Sequence, residues 1–536
     1  MFVEVQEAVD EAAAVPISEV SSAVPKHVAK NLLEGTSALG AGIVIERGFG
    51  FLANLLAARL GGAGTFGAYS LGISTANNIS AYAAGGIGST AIRFSGKCPN
   101  GSQGYSTLSR ALLIISLASA AIAALGLWAG AGPIAHLLGK QSLTGVLRWA
   151  ALSAAGMILL ECCRGFLVGQ RRLAAILLLS LTVGIGMIGL LPLAARLGPT
   201  QMICSQGAIT LGAVLLCLAF YRPLGLAPTS KAITTQPVGP MLRTVWSFGL
   251  IQLAGLVGMN AAGWWLTSLV ARADSSMVQM GFFAVAHQLR NAVSLAPGLL
   301  TESSLAVMAQ GEDDIENTPG RVMAVCMFAT TLASLLLAGL GIVFAPWALT
   351  FLYGKSYGAA SAAASIALAT AVVHMGSEPA SARLSLLSIK LSGVIKTIWA
   401  VMVAVSATTF LFWTGNAMKG ALIYLAAHVV SAGLVLLVLA NRHCLPRGVS
   451  SVFFVGSGTA ISLAGLALFR NTHPFLTLSV SAAMLTLCLA SLCLLLNIGH
   501  RHHWTPKPRL IVRLLRNQGF LPQLAVESSN SGGFDA

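Results

Sequence analysis

The sequence reads as an all-α polytopic membrane protein, with about 14 transmembrane helices in two six-helix pseudo-symmetric lobes plus two C-terminal helices. Three features lead there. Of 536 residues, 56% are hydrophobic and only 9% charged. A soluble chain of this length needs far more charge to solvate its exterior, whereas lipid accepts an apolar one. Apolar runs of spanning length, roughly 20 residues each, recur from end to end. Finally, the sequence matches itself at an offset of about 214 residues.

The first 34 residues carry six acidic side chains and two lysines. Without a basic start before an apolar core they are no signal peptide, so 1–37 is expected to be a flexible cytoplasmic extension. An N-lobe over 38–221 holds spans at 38–60, 67–92, 109–131, 147–170, 173–195 and 202–221. A cytoplasmic linker, 222–244, precedes the C-lobe over 245–440. Its spans fall at 245–271, 279–305, 322–345, 358–387, 393–414 and 419–440. Spans 451–469 and 475–498 lie outside the repeat, and 499–536 is a basic cytoplasmic tail. In the tail, His500-Arg-His-His503 reads as a solvated juxtamembrane cluster, and Arg509 to Arg516 as a short interfacial helix.

Charge tests this arrangement. With both termini inside, the inner segments hold 22 of the 32 Lys and Arg, and the outer segments eight. That bias fits the rule that cytoplasmic loops are basic. The net charge of +15 is spread through short loops and forms no continuous stripe, which excludes a nucleic-acid partner. The nine Cys have no disulfide or zinc spacing and read as packed apolar side chains. No Gly-x4-Gly-Lys-Ser/Thr loop occurs, so direct ATP hydrolysis is not expected, nor is any cofactor or metal. The outer loops are short and show no nucleophile–base spacing, which argues against an enzyme such as a polymerase or acyltransferase.

The repeat is carried by three motifs in the same order. Leu56-Ala-Ala-Arg59 matches Leu269-Val-Ala-Arg272, Gly67-Ala-Tyr69 matches Gly281-Phe-Phe283, and Leu137-Leu-Gly-Lys140 matches Leu352-Tyr-Gly-Lys355. The offset covers six spans, an even number that preserves orientation. Two such halves related by an axis along the membrane normal enclose a cleft that opens alternately to each side.

Ionisable groups at membrane depth are costly and normally face a cavity or a partner. Glu46 and Arg47 lie in the first span, and His287, Arg290 and Asn291 in the eighth. Adding 214 carries Glu46 to Asn260, Asn77 to Asn291 and Ser74 to Gln288. Glu46, Arg47, Asn77, Asn260, His287, Arg290 and Asn291 are therefore expected to face a shared central cleft. Arg47 and Arg290 would offer it guanidinium groups suited to a diphosphate. Glu161 and Arg164, three apart, and His374 and Glu378, four apart, are expected to act in gating or structure. Trp264-Trp265, Trp128, Trp347 and Trp413 read as an interfacial belt.

The stretch from Arg47 to Tyr69, with Ala58-Arg59-Leu60-Gly61 and Phe66-Gly67-Ala68-Tyr69, resembles the opening of the polysaccharide-transporter (Wzx-type flippase) family. That family belongs to the multidrug/oligosaccharidyl-lipid/polysaccharide exporter superfamily. Gly86-Ile-Gly-Ser-Thr-Ala-Ile-Arg-Phe94 looks like its second-helix ending, and Phe351-Leu-Tyr-Gly-Lys-Ser-Tyr357 like its second-lobe counterpart. The resemblance implies alternating access in the bacterial inner membrane, with a polyprenyl-diphosphate-linked oligosaccharide as cargo. Transport would run from cytoplasmic to periplasmic face, coupled to a proton or sodium gradient or to the membrane potential. The related peptidoglycan-precursor flippase has a cavity richer in arginine than this sequence offers, which favours a repeat unit over lipid II. A multidrug antiporter of the same superfamily would need cavity carboxylates, and Glu46 is the one acid deep in spans one, two, seven and eight.

Overall fold

The computed structural model describes residues 26–84, 86–97, 103–221, 257–310, 318–472 and 476–504. The N-terminal extension to residue 25, the 222–244 linker, the seventh span up to residue 256, the acidic 311–316 segment and the tail beyond 504 lie outside the described residues.

Fourteen α-helices make up the described residues. They are α1 (Lys26–Ala84), α2 (Ile87–Lys97), α3 (Gln103–Leu137), α4 (Thr144–Gly169), α5 (Leu173–Ala195), α6 (Pro199–Tyr221), α7 (Val257–Arg272) and α8 (Val278–Gln310). The second group is α9 (Thr318–Tyr353), α10 (Ser361–Leu387), α11 (Ile389–Leu411), α12 (Ala417–Asn441), α13 (Val449–Thr472) and α14 (Thr477–Arg501). No strand occurs among the described residues. α1 holds the first two expected spans, divided at Gly62, where φ is 75°.

Ten helices, α3–α6 and α9–α14, are long and apolar enough to cross a membrane. The chain is a multi-pass membrane protein, and side chains such as Phe220, Ile389 and Leu478, 76–81% exposed, face lipid rather than water. The long helices outside those ten are α1 and α8, whose apolar character is diluted by Glu46, Arg47, Asn77 and Asn78, and by His287, Gln288, Arg290 and Asn291. In α7, 16 residues are described.

The packing repeats itself. In the first half α1 packs on α5 and α4, α3 on α4, and α4 on α6. In the second half α7 packs on α11, α8 on α10, α9 on α10, and α10 on α12. These are the same pairs six helices later. The Leu-x-Gly-Lys motif gains a reason: Gly139 (φ 65°) and Gly354 (φ 102°) follow the ends of α3 and α9 with left-handed backbone, and a 3-10 turn follows each.

α13 and α14 pack on each other and on α9, and Thr459 Oγ1 donates to Ser491 Oγ at 2.8 Å. Pro346 inside α9 lacks the N–H that would bond Ile342 O. Arg470 of α13, counted from sequence among the outer loop residues, is instead 2% exposed. It donates from Nη1 to Val343 O at 2.6 Å and from Nη2 to Ile342 O at 3.4 Å, and so reaches the carbonyl that Pro346 leaves without its donor.

Candidate functional site

The two halves meet along α1, α7 and α8, and their contacts come in reciprocal pairs. A Cβ at Gly67 would collide with the backbone O of Met277, and a Cβ at Gly281 with that of Ala63. At an offset of 214 each of these contacts is the image of the other. Further out, Arg59 Nη1 donates to Phe351 O at 3.0 Å, and Arg272 Nη1 donates to Leu137 O at 2.8 Å. Each guanidinium thus serves orphan carbonyls in the last turn of the other half's third helix, where the helix dipole favours a cation. Lys140 Nζ donates to Asp274 O beside them. Burial draws that ammonium below its ordinary pKa, and the Asp274 charge opposes the shift. Asp274 accepts from Gln279 N at 2.6 Å and from Ser276 N at 3.1 Å, capping α8.

Along the chain from this joined end the pairing continues, then fails on one side. Trp264 Nε1 donates to Thr75 Oγ1 at 3.0 Å, and Gln288 Nε2 donates to Phe51 O at 2.8 Å. These too are images of each other within one residue. Next, Asn78 Nδ2 donates to Asn260 O at 2.6 Å, and Tyr82 Oη to Val257 O at 3.3 Å. The first helices of the halves are offset by 213, so Asn260 corresponds to Arg47, not to Glu46. The second helices are offset by 214, so Asn78 corresponds to Ala292. Arg47 and Ala292 make no hydrogen bond to one another among the described residues; both line a cavity.

That cavity has a volume of about 1020 Å³. Its wall includes Arg47, Asn54, Ser74, Asn77 and Gln206 from the first half and Thr267, His287, Gln288, Asn291 and His374 from the second. No Asp or Glu is among its lining residues that are described. Arg47 is exposed to it.

Of the expected cleft residues, Arg47, Asn77, His287 and Asn291 line this cavity. Glu46 lines an adjoining recess of about 370 Å³, which shares Asn77, Met157 and Gln206 with it. There Glu46 is bound across helices: Arg164 Nη2 lies 2.5 Å from Glu46 Oε2, and Ser180 Oγ 3.4 Å away. The Glu161–Arg164 contact along α4 is longer, 3.8 Å. Arg290 is not among the cavity's lining residues; its guanidinium sits 5.1 Å from the Tyr424 ring centre and 3.3 Å from Asn291 Oδ1. Asn260 takes part through its backbone O. His374 lines the cavity and pairs with Glu378, Nε2 to Oε2 3.3 Å. The Nε1 groups of Trp264 and Trp265 join α7 to Thr75 and, at 2.9 Å, to Thr408.

Sequence reasoning passed over Asn78, Gln206, Tyr424 and His428. Asn78 adjoins Asn77, one residue and about 100° round the helix. His428 was available as a titratable group deep in an apolar run, the signal that singled out His287.

No family model and no curated protein matches the chain. Solved structures do. The lipid II flippase MurJ in an inward closed conformation is 13% identical with a TM-score of 0.61, covering 87% of this chain and 99% of that one. An inward-facing multidrug resistance MATE family transporter of the MOP superfamily is 16% identical with a TM-score of 0.60, covering 76% and 95%. A MOP superfamily transporter from Pyrococcus furiosus, described as having a binding pocket of reverse polarity, is 14% identical with a TM-score of 0.53, covering 79% and 96%. The chain has the fold of these transporters.

Proposed function

We propose that this chain is a MOP-superfamily flippase that moves a polyprenyl-diphosphate-linked oligosaccharide repeat unit from the cytoplasmic to the periplasmic leaflet of the bacterial inner membrane. The observation that carries the reading is the cavity between the halves, with Arg47 exposed in its wall and no carboxylate among its described lining residues. A sugar headgroup cannot enter hydrocarbon without losing its water, so it needs such an enclosed polar passage. A guanidinium in that passage suits the diphosphate, which it can grip through two oxygens. The parting beside Arg47, between α1 and α8, lets the polyprenyl chain remain in lipid while the headgroup sits inside. Asn77, His287 and Asn291 supply further hydrogen-bonding groups for the sugars.

The reading takes residues 38–221 and 245–440 as the two moving lobes and sets both termini in the cytoplasm. A cation-exporting antiporter is disfavoured because Glu46, in the recess adjoining the cavity, is already paired with Arg164. The likeness to MurJ keeps lipid II, a cargo of the same polyprenyl-diphosphate class, as the second reading.

The test is reconstitution into liposomes with fluorescent polyprenyl-diphosphate oligosaccharide, following its arrival in the opposite leaflet. Arg47→Ala is expected to slow transport at least tenfold, with Arg47→Lys retaining part of it. Full transport by Arg47→Ala would remove the diphosphate assignment, and transport of cationic dyes instead would restore the antiporter.

A further inference from the structure

A group of titratable side chains lies in the second half, behind the cavity wall. His374 of α10 and His287 of α8 both line the cavity. Between them stand His428 and Tyr424 of α12. The rings of His374 and His428 are 4.9 Å apart, those of His428 and Tyr424 5.5 Å, and those of Tyr424 and His287 4.9 Å. A continuous column of rings therefore leaves the cavity at one imidazole and returns to it at another. Glu378 pairs with His374 at 3.3 Å. Arg290 covers Tyr424 from α8, and Lys396 of α11 lies within electrostatic reach of Glu378. On the far side of α10, the groups that meet Gly376 are uncharged, Thr331 and Phe453.

His428 holds two partners that compete for one nitrogen. Its Nδ1 lies 3.3 Å from Trp399 Nε1, a donor, and 2.8 Å from Tyr424 O, an acceptor. Bare, Nδ1 accepts from the indole. Protonated, it donates to the carbonyl, and the Trp399 N–H loses its partner.

We propose that the His374–His428 pair is a proton-binding site loaded from the central cavity, and that a proton rather than a metal cation drives this half of the chain. The site suits a proton because it offers imidazole nitrogens and one carboxylate. A hard metal cation needs several oxygen ligands, and this group supplies one carboxylate, Glu378. The step is proton transfer alone: a cavity hydronium gives its proton to an imidazole nitrogen and leaves as water, and the reverse transfer discharges the site. A proton held on His374 turns its contact with Glu378 into an ion pair; the same proton passed on to His428 Nδ1 releases that pair and moves His428 from Trp399 to the Tyr424 carbonyl. Coupling to transport rests on the flippase reading; proton binding does not.

The test needs no cargo. The full chain in nanodiscs of phosphatidylethanolamine and phosphatidylglycerol is titrated from about pH 8 to 5, the range of imidazole. The emission of Trp399 is read as the difference from Trp399→Phe. A step in that emission is expected, absent in His428→Gln and His374→Gln. It moves to more acid pH by about one unit in Glu378→Gln, which loses the carboxylate that favours the charged imidazole. Exchanging choline for sodium at fixed pH leaves it unchanged. A sodium response at fixed pH, or a step that persists in both histidine variants and stays in place in Glu378→Gln, overturns the proposal. Should His374→Gln not fold, the Glu378→Gln shift decides alone. If the cargo assignment fails, the emission step remains.

Discussion

The seam between α1 and α7 and the seam between α1 and α8 are built from equivalent helices, yet they differ. The first is joined at three successive levels, by Trp264 to Thr75, Asn78 to Asn260 and Tyr82 to Val257. Among the described residues, the second has one such side-chain hydrogen bond beyond the glycine crossing, from Gln288 to Phe51. Beyond that it parts, leaving Arg47 and Ala292 on the cavity wall and Val44, the counterpart of Val257, 44% exposed. A repeat whose interfaces were both fully joined would have no way in from the side. The difference teaches that the repeat supplies the frame, while the proposed side entry depends on departure from its symmetry.

The largest effect is expected where the seams share a base. Gly67→Val or Gly281→Val puts a side chain against a backbone carbonyl that cannot rotate away, costing about 3 kcal/mol. Denaturation of the detergent-solubilised protein measures it, and the two variants should lose nearly equal amounts. An unchanged midpoint in either would mean that the halves do not cross there.

The contrast between the seams is sharpened by cross-linking on a cysteine-free background. The pair Asn78→Cys and Asn260→Cys should form a disulfide at least tenfold faster than the pair Arg47→Cys and Ala292→Cys. Equal rates would erase the distinction between a joined and a parted seam.

The smallest effect belongs to the outer arginines. Arg59→Ala and Arg272→Ala each remove one charge-assisted bond at an exposed site, worth about 1 kcal/mol. A matched loss in thermal unfolding supports their equivalence; a loss from one alone would make the other ornamental.

Much of the frame was legible. The apolar runs marked the helices, and the Leu-x-Gly-Lys motif marked where α3 and α9 end, because each needs left-handed backbone there. Arg47, Asn77, His287 and Asn291 could be found as polar groups at membrane depth. What stayed hidden depends on distant partners. Glu46 looks like a cleft acid until Arg164, 118 residues later, is seen beside it. Arg470 looks like a loop cation until the Ile342 carbonyl freed by Pro346 is placed next to it. The parted seam had no signature, because matched positions in a repeat say which surfaces face each other and not which of them touch.

The glycine crossing of Gly67 and Gly281 carries one more consequence. Because backbone lies on backbone there, with no side chains to repack, the crossing would act as a pin if the halves rock as proposed. The 17 residues from Gly67 to Ala84 span about 25 Å of helix. A tilt of about 10° at the pin then swings the far ends by about 4 Å. Under the proposed alternating access, a carrier hinged in this way would widen most at the mouth farthest from its hinge, while the hinge kept its contacts throughout the stroke.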